Sequence, residues 1–244
     1  MSINRFYAPF QSDLQDLWLD YSETHHLLHV KRVSVGDIIV LFNGVGDECD
    51  AKIVEIKRGR ARVEIGTIKA ISREGNVGID IAFAIPKGRH SQFLIQKCTE
   101  LGVQRLIPIH FERSVVRMKS DCSDKIDKWK RIVIEASKQC GRNVITEITA
   151  AVDFEDILKR VGDYDLSLVA TSQSEADNLK NILQEHQKVN SIIGFIGPEG
   201  GFTTRELSIA LDAGCQFVSL GKQILRVETA AIAISSILSY HYLN

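Results

Sequence analysis

Two glycine-containing segments near the end of the 244-residue chain have the residue types of ligand-binding loops. They read GPEGG at 197–201 and LGKQILR at 220–226. Glycine lets a backbone approach a ligand closely and adopt a positive φ, and proline fixes a turn. Each segment follows a buried-strand pattern and precedes a helix pattern, so we expect both at the sheet edge where α/β proteins bind ligands. A tight strand-to-helix turn would need the same glycines.

Motifs that these loops lack narrow the class of ligand. The chain has no GxxxxGK[ST] loop and no GxGxxG motif after a strand, which disfavours triphosphates and dinucleotides. It also lacks the GxSxG motif of hydrolases. Thr203 and Glu206 form a T-x-x-E capping box that opens a helix after the first loop. A backbone-lined, uncharged pocket at this place suits an adenine ring and a thioether cofactor.

Two patterns of elements surround these loops. Segments 4–8, 37–43, 49–56 and 61–68 alternate like strands, with turns at Asn43-Gly44 and Arg58-Gly59, and predict a small β-barrel. After the polar stretch 72–77, strand patterns at 78–85, 105–111, 165–171, 191–197 and 217–221 alternate with helix patterns. Helices are expected near 89–101 and 124–140, each followed by a glycine. We therefore predict a β-barrel domain at 1–72 and an α/β domain with a parallel sheet at 73–244.

The net charge of −1 conceals an uneven distribution. Residues 87–142 carry 13 Lys and Arg against 6 Asp and Glu, whereas residues 143–244 carry 7 against 13. A basic block is a candidate phosphate-facing surface, although a solvated helix face would look the same. The start of the chain lacks a signal-peptide pattern, and no apolar run of about 18 residues predicts a membrane span. Five widely spaced cysteines predict reduced thiols in a cytoplasmic protein without a metal site.

Several motifs together resemble one known family. GFIGPEGGFTTRE and LGKQILRVETAAI resemble the C-terminal signature of the RsmE-type 16S rRNA uridine-N3 methyltransferases of the SPOUT superfamily. The likeness continues upstream in QKCTELGVQRLIPI, ERSVVR and EASKQCGR, and HHLLHVKRVSVGDIIVLFNG resembles the family's PUA-like RNA-binding barrel. It spans nearly the whole chain. The resemblance implies a PUA-like β-barrel followed by a trefoil-knotted SPOUT methyltransferase domain that forms a homodimer.

The resemblance also implies S-adenosyl-L-methionine as cofactor and 16S rRNA or the small ribosomal subunit as partner. The implied cofactor-binding residues are Thr171, Ser172, Gly197, Pro198, Glu199, Gly200, Leu220, Gly221, Ile224, Leu225, Arg226, Thr229 and Ala230. The family's usual LGPRILRTET is altered here at Lys222, Gln223 and Val227. Small residues in TAAIAISSILSY at 229–240 would suit close packing in a knot or dimer core, or an ordinary buried helix.

Methylation of uridine N3 requires loss of its proton and in-line attack on the sulfonium methyl group. A nearby cation favours the anionic base, and Arg226 is the candidate for this role. Glu228 could orient Arg226 or accept a proton. The alternatives are an ion pair of Arg226 with Glu228 or Glu199, and a carboxylate at Glu228 that favours a helix start.

Recognition of RNA needs cations outside the cofactor loops, since phosphate contacts position the substrate. The candidates are Arg5, Arg32, Arg113, Arg117, Lys119, Arg131, Lys138 and Arg142. The histidines His25, His26 and His29 are expected to be packed or solvated on a short helix that opens at Ser22, rather than to shuttle protons.

Two other functions compete with this hypothesis. One is a non-catalytic RNA-binding or ribosome-assembly factor with a degenerate knot domain, which the retained IGPEGG and ILRVETA disfavour. The other is a SPOUT enzyme that acts on 23S rRNA or tRNA, which the QCGR motif and the barrel disfavour.

Overall fold

The computed structural model describes residues 4–11, 13–118, 123–172 and 176–242. The chain forms two compact units, one of Met1–Glu74 with Ile134–Ile145 and one of Gly75–Val133 with Thr146–Asn244. The helix Ser123–Cys140 contributes its first residues to the second unit and its last residues to the first. The segment 134–145 lies in the half of the sequence that has the α/β pattern, but in the structure it belongs to the first unit.

The first unit is built on one six-stranded sheet in the order β1-β3-β4-β5-β2, with β6 paired to β4. The β1–β3 pair is parallel and the other pairs are antiparallel. Its strands are β1 Arg5–Tyr7, β2 Asp16–Trp18, β3 Ile38–Phe42, β4 Asp47–Lys57, β5 Arg60–Ile65 and β6 Lys69–Ala70. Helix α1, Tyr21–His25, continues into a π-helical turn, His26–Val30.

Alternating side chains of these strands form the core of the first unit. Phe6, Leu41, Ile53 and Val63 are fully buried, as the alternating pattern predicts. The expected turn between β4 and β5 is confirmed, since Arg58 and Gly59 have φ values of 50° and 73°. Two successive positive φ values match the twist of a two-residue hairpin.

The second unit is an α/β structure around an eight-stranded sheet in which every pair is parallel. Its strands are β7 Gly78–Ala84, β8 Arg105–His110, β9 Glu147–Ile148, β10 Val152–Asp153, β11 Leu166–Ala170, β12 Asp177–Asn178, β13 Ser191–Ile196 and β14 Gln216–Ser219. The order is β10-β8-β7-β13-β11-β14-β12, with β9 on β8. The predicted parallel sheet is confirmed.

Helices connect these strands. They are α2 His90–Glu100, α3 Ser123–Cys140, α4 Phe154–Leu158, α5 Leu179–Glu185, α6 Thr204–Asp212 and α7 Val227–His241, with a 3₁₀ turn at Val161–Asp163. The predicted ends of α2 and α3 are confirmed, because Gly102 and Gly141 follow them with φ values of 85° and 86°. Among the described residues, no helix is long and apolar enough to cross a membrane.

The core of the second unit lies on both faces of the sheet. Phe111, Phe154, Phe195 and Phe202 pack with ring centroids 4.9–5.9 Å apart under α4 and α6. Strands β7, β13, β11 and β14 are consecutive neighbours in the parallel sheet. Their carboxyl ends therefore meet at one edge, and this brings together the loops that follow them.

Candidate functional site

A cavity of about 300 Å³ opens at this edge of the second unit. The ends of β11, β13 and β14, the two glycine loops and the start of α7 form its wall. Its lining consists of Ala170, Thr171, Ser172, Ile196, Gly197, Pro198, Glu199, Gly200, Gly201, Phe202, Leu220, Gly221, Gln223, Ile224, Leu225, Val227 and Ala230. Its volume is within the range of small-molecule sites.

Glycine is required at specific points of this wall. A Cβ atom on Gly197 would lie 2.7 Å from the ring of Phe202, so a larger residue would displace that ring. Gly221 has a φ of 129°, which side-chain-bearing residues rarely adopt. Between them, the Gly201 N–H donates to the Pro198 carbonyl at 2.8 Å and closes a turn. These constraints give the cavity a backbone-lined wall.

Side chains outside the cavity hold the 197–203 loop in place. Arg113 donates from Nη1 to the carbonyl oxygens of Gly200 and Phe202, at 3.0 and 3.3 Å. The predicted capping box is present, since Thr203 and Glu206 exchange hydrogen bonds at the start of α6. Oε1 of Glu206 also accepts from the Glu112 N–H at 2.8 Å, which ties the loop after β8 to the loop after β13.

The chemical character of the lining is mostly neutral. Among the described residues that line the cavity, Glu199 is the single ionisable side chain. Backbone amides and carbonyls, two hydroxyls, the carboxamide of Gln223 and apolar groups make up the remainder. Such a wall offers no cation to balance several phosphates, and it suits a flat, neutral or cationic ligand.

The structure brings together all of the predicted cofactor residues except two. Arg226 and Thr229 do not line the cavity, and both are exposed. The reason is helical spacing at the start of α7, where Val227 and Ala230 face the cavity and residue 229 points away. Val227 was noted in the sequence as a departure from the family pattern and was not predicted to line the cavity.

The two predicted catalytic residues have different environments. Arg226 is the exposed N-cap residue of α7, and no ion pair joins it to any described carboxylate, Glu228 and Glu199 included. Glu228 is buried and pairs instead with His90, whose Nδ1 lies 2.9 Å from its Oε1. His90 was missed by the sequence analysis. Its signal was its place in PKGRH, which follows β7 at the same sheet edge.

Comparison with known proteins gives the family of the chain. A model described as an RNA methyltransferase domain matches residues 73–239, and a model described as an RNA methyltransferase PUA domain matches residues 19–66. The ribosomal RNA small subunit methyltransferase E of Bacillus subtilis is 30% identical, over 89% of this chain and 87% of that protein. This chain belongs to the ribosomal RNA small subunit methyltransferase E family.

Two solved structures of high similarity support this assignment. The ribosomal RNA small subunit methyltransferase E of Neisseria gonorrhoeae, solved with S-adenosyl methionine, has a TM-score of 0.89 and 31% identity. A Legionella pneumophila methyltransferase structure with the bound cofactor SAM has a TM-score of 0.91 and 30% identity. Each comparison covers 98% of both chains. The expected α/β methyltransferase fold with an N-terminal PUA-like domain is thereby confirmed.

Four of the candidate RNA contacts of this methyltransferase-family chain have exposed side chains. They are Arg32, Arg113, Arg117 and Arg131. Arg32 adopts a φ of 53°, which is unusual for a residue other than glycine. Arg113 and Arg117 also donate to backbone carbonyls of their own unit. Lys119 lies outside the described residues.

Three other candidates differ from these four, because their charged groups are buried in ion pairs of the first unit. Arg142 donates from Nε to both carboxylate oxygens of Glu74 at 3.1 Å. Arg5 donates from Nη1 to Glu48 at 2.6 Å. Each of these arginines is less than a tenth exposed, so neither guanidinium is presented to a phosphate.

The third is Lys138, whose ammonium group has three partners. Its Nζ lies 2.9 Å from Oε1 of Glu23, 2.8 Å from Oε1 of Glu135 and 2.9 Å from Nδ1 of His26. Burial and the charge of Lys138 lower the pKa of His26, which fits a neutral ring that accepts this hydrogen bond. The charged groups of Arg5, Lys138 and Arg142 are therefore occupied by ion pairs within the first unit, which disfavours them as phosphate contacts.

The described cysteines and metal-binding side chains add no further site. Cys49, Cys98, Cys140 and Cys215 are free thiols, and Cys122 lies outside the described residues. Burial raises the pKa of Cys98 and of Cys215 to about 12, so neither is an activated thiolate. Within the described ranges, no three His, Cys, Asp or Glu side chains are grouped as metal ligands.

Proposed function

We propose that this chain transfers a methyl group from S-adenosyl-L-methionine to N3 of a specific uridine in 16S rRNA of the small ribosomal subunit. The observation that carries the proposal is the backbone-lined cavity between the 197–203 and 220–226 loops. Membership of the ribosomal RNA small subunit methyltransferase E family supplies the class of substrate. Position N3 follows from the motif resemblance to uridine-N3 methyltransferases.

The residues of the cavity fit the cofactor. An adenosyl group needs apolar contact and backbone hydrogen bonds, which Leu225, Val227, Ala230 and the glycine loops offer. A sulfonium cation is compatible with a wall whose single described ionisable group is the carboxylate of Glu199. When bound, S-adenosylmethionine supplies an electrophilic methyl group, and the protein supplies orientation and electrostatics.

The residues at the start of α7 then act on the substrate base. Arg226 is exposed, and no described carboxylate neutralises its charge, so its guanidinium is free to stabilise the negative charge of a deprotonated uracil. Glu228 does not pair with Arg226 and is held by His90 on the side of α2. We assign to Glu228 the acceptance of the N3 proton, directly or through water, and to His90 the positioning of that carboxylate.

The exposed cations Arg113, Arg117 and Arg131 of the second unit and Arg32 of the first are our proposed phosphate contacts. Arg113 has a double role in this proposal, because it also braces the loop at Gly200. Charge reversal at Arg131, which has no ion pair with a described carboxylate, should weaken rRNA binding and lower its salt dependence. The affinity for S-adenosylhomocysteine should be unchanged.

The architecture of the active molecule is part of the proposal. We retain a PUA-like domain at 1–72 and a SPOUT domain with a C-terminal trefoil knot at 73–244, with a cytoplasmic homodimer as the working form. The exposed apolar side chains Ile237 and Tyr240 on α7 support a partner surface in the second domain. Light scattering at working concentration should give twice the mass of one chain.

The decisive experiment joins cofactor binding to product analysis. Isothermal titration should detect binding of S-adenosylhomocysteine, which a non-catalytic assembly factor would not bind. Nucleosides from 16S rRNA of a deletion strain should lack 3-methyluridine, and purified enzyme with labelled cofactor should restore it. Labelling of 23S rRNA or tRNA with no label in 16S rRNA would overturn the substrate assignment.

A further inference from the structure

Two large aromatic side chains of the first unit are exposed beside an arginine. Trp18, at the end of the edge strand β2, is 37% exposed, and Tyr21, the first residue of α1, is 66% exposed. The guanidinium carbon of Arg60 lies 6.0 Å from the Trp18 ring centroid and 5.9 Å from the Tyr21 ring centroid. Both distances are within the range of cation–π contact.

The guanidinium of Arg60 is held in a defined orientation. Its Nε donates to the carbonyl of Leu19 at 3.0 Å, and its Nη2 donates to the carbonyl of Trp18 at 3.0 Å. No described carboxylate forms an ion pair with Arg60. Because the two acceptors are neutral, the positive charge is retained next to the exposed rings.

The adjacent hairpin adds positive charge on the same side. Lys57, the last residue of β4 and the cross-strand partner of Arg60, is exposed, and so is Arg58 in the turn that follows. Gly59 in this turn packs against Tyr21, since a Cβ atom there would lie 3.7 Å from the ring. The aromatic pair with Arg60 is here called the Trp18–Tyr21–Arg60 platform, and the exposed Lys57 and Arg58 are next to Arg60 in the same hairpin.

A neighbouring arginine on β5 shows what an ordinary surface cation looks like in this unit. Arg62 lies two residues from Arg60 and thus on the same face of the strand. Its guanidinium pairs with Asp16 at 3.2 Å and with Glu55 at 3.3 Å, so its charge is balanced. The contrast between the two arginines indicates that the unbalanced charge at Arg60 is a local feature.

We propose that the Trp18–Tyr21–Arg60 platform binds an unpaired nucleobase of RNA by stacking, with Lys57 and Arg58 on the flanking phosphates. Unpaired bases stack on aromatic rings and on arginine planes, and exposed rings beside unpaired cations provide both contacts. A protein partner would gain less from three neighbouring cations that have no ion pair with a described carboxylate. The inference rests on the proposed function for the existence of an RNA substrate, and it assigns to the first unit a contact with single-stranded RNA.

The test uses the full-length chain and two RNA probes of equal length. One probe is a fluorescent oligouridylate of about 12 nucleotides, within the site sizes of single-strand binding proteins. The other is a blunt RNA duplex, whose bases are not free to stack on the protein. Fluorescence anisotropy gives the affinity of the wild-type chain and of Tyr21→Ala, Tyr21→Phe, Arg60→Lys and Arg62→Lys for both probes.

Loss of the platform should weaken binding of the single-stranded probe and leave binding of the duplex unchanged. Tyr21→Ala should weaken oligouridylate binding by about five- to a hundredfold, as for loss of one stacked base. Tyr21→Phe should bind like the wild type. Arg60→Lys retains the charge and loses the plane, so it should weaken binding, whereas the matched variant Arg62→Lys should not. Duplex affinity should be unchanged in all four variants.

Other outcomes would overturn the proposal. They are unchanged oligouridylate affinity in Tyr21→Ala, equal losses for single strand and duplex, equal effects of Arg60→Lys and Arg62→Lys, or no binding of the single strand by the wild type. S-adenosylhomocysteine titration and rRNA methylation on the same samples test the proposed function separately. If rRNA is methylated but the platform variants do not change oligouridylate affinity, the platform alone is refuted. If the variants change that affinity but the chain does not bind S-adenosylhomocysteine, the methyltransferase function alone is refuted.

Discussion

Nδ1 of His90 lies 2.9 Å from Oε1 of Glu228 and joins the first residue of α2 to the first turn of α7. The residues of α7 around Glu228 lie at the cavity or at the start of the helix. Val227 and Ala230 line the cavity, and Arg226 caps the helix that carries Glu228. The pair therefore fixes a carboxylate next to the cavity wall, on a helix whose position also shapes that wall.

Removal of His90 should reduce turnover without loss of cofactor affinity. In His90→Ala the Glu228 carboxylate loses its partner and its orientation, and misplacement of a reacting group by about 1 Å can cost about a hundredfold. We expect kcat to fall by about ten- to a hundredfold, with S-adenosylhomocysteine affinity unchanged in calorimetry. His90→Arg keeps a side chain with N–H donors and should recover most of the activity.

Two controls separate this role from general damage to the fold. His25→Ala, at an exposed histidine of the first unit, should leave kcat at the wild-type value. Glu228→Gln should lower kcat in the wild-type and His90→Ala backgrounds by different factors, because the pair acts as a unit. Full activity of His90→Ala would exclude His90 as a positioning residue.

A side chain at Gly200 should block the cofactor. Gly200 has no left-handed φ, so valine there causes no backbone strain of that kind. Its Cβ would lie 3.3 Å from Cβ of Arg113 and beside the cavity. We expect Gly200→Val to abolish S-adenosylhomocysteine binding in calorimetry, whereas Gly162→Val, at a glycine with open space around it, should bind normally.

The contact with Arg113 requires a further comparison. If Gly200→Val acts by pressing on Arg113, the double variant with Arg113→Ala should bind as well as Arg113→Ala alone. If the valine occupies space that the cofactor needs, binding should remain absent in the double variant. Wild-type affinity in Gly200→Val would refute the assignment of this loop to the cofactor.

The sequence predicted the cavity better than it predicted the charged residues. Glycine loops after strands depend on local backbone geometry and on the parallel sheet, and both can be inferred from short patterns. Whether a cationic side chain is exposed or buried in an ion pair depends on partners that are distant in sequence. Examples are Glu74 for Arg142 and Glu23 for Lys138, which no local pattern indicates. His90 was missed for the same reason, since residue 228 is far away in sequence. The short strands β2 and β6 have too few residues to show alternation.

Removal of one partner of the buried Lys138–Glu23 pair should strongly destabilise the first unit. Burial raises the pKa of Glu23 although Lys138 lies beside it, so the carboxylate depends on this cation for its charge. Lys138→Met should lower the free energy of unfolding by about 3–5 kcal/mol, because it leaves an unpaired buried charge. Urea denaturation measures the effect.

A double variant removes the charge from both partners of the Lys138–Glu23 pair. Lys138→Met combined with Glu23→Gln should recover most of the lost stability, since no buried charge then remains. Lys130→Met, at an exposed lysine of the same helix, should change stability by less than about 0.5 kcal/mol. A loss of similar size in Lys130→Met and Lys138→Met would contradict the structural role given to Lys138.

Glu48 should make the stability of the first unit depend on pH in the acid range. Hydrogen bonds from Arg73, followed by the hydrogen bond and charge of Arg5, lower the pKa of Glu48 from 4.5 to about 2. A carboxylate with a lowered folded-state pKa contributes stability above its unfolded-state pKa. That contribution is complete above about pH 4.5 and is lost as the pH falls toward 2.

The expected result is a pH-dependent penalty for Glu48→Gln. The variant should be less stable than the parent by about 2 kcal/mol at pH 7, as for hydrogen bonds to a charged group, and by the same amount at pH 5. Below about pH 4.5 the difference should shrink, because Glu48 of the unfolded parent then takes up a proton, whereas folded Glu48, with its lower pKa, does not. A Trp129→Phe background leaves Trp18 as the sole tryptophan, so its fluorescence in urea reports on the first unit.

Glu64→Gln, at an exposed carboxylate of β5, should show no such dependence on pH. A penalty for Glu48→Gln that stays constant down to pH 3 would mean that the paired carboxylate contributes nothing through its charge.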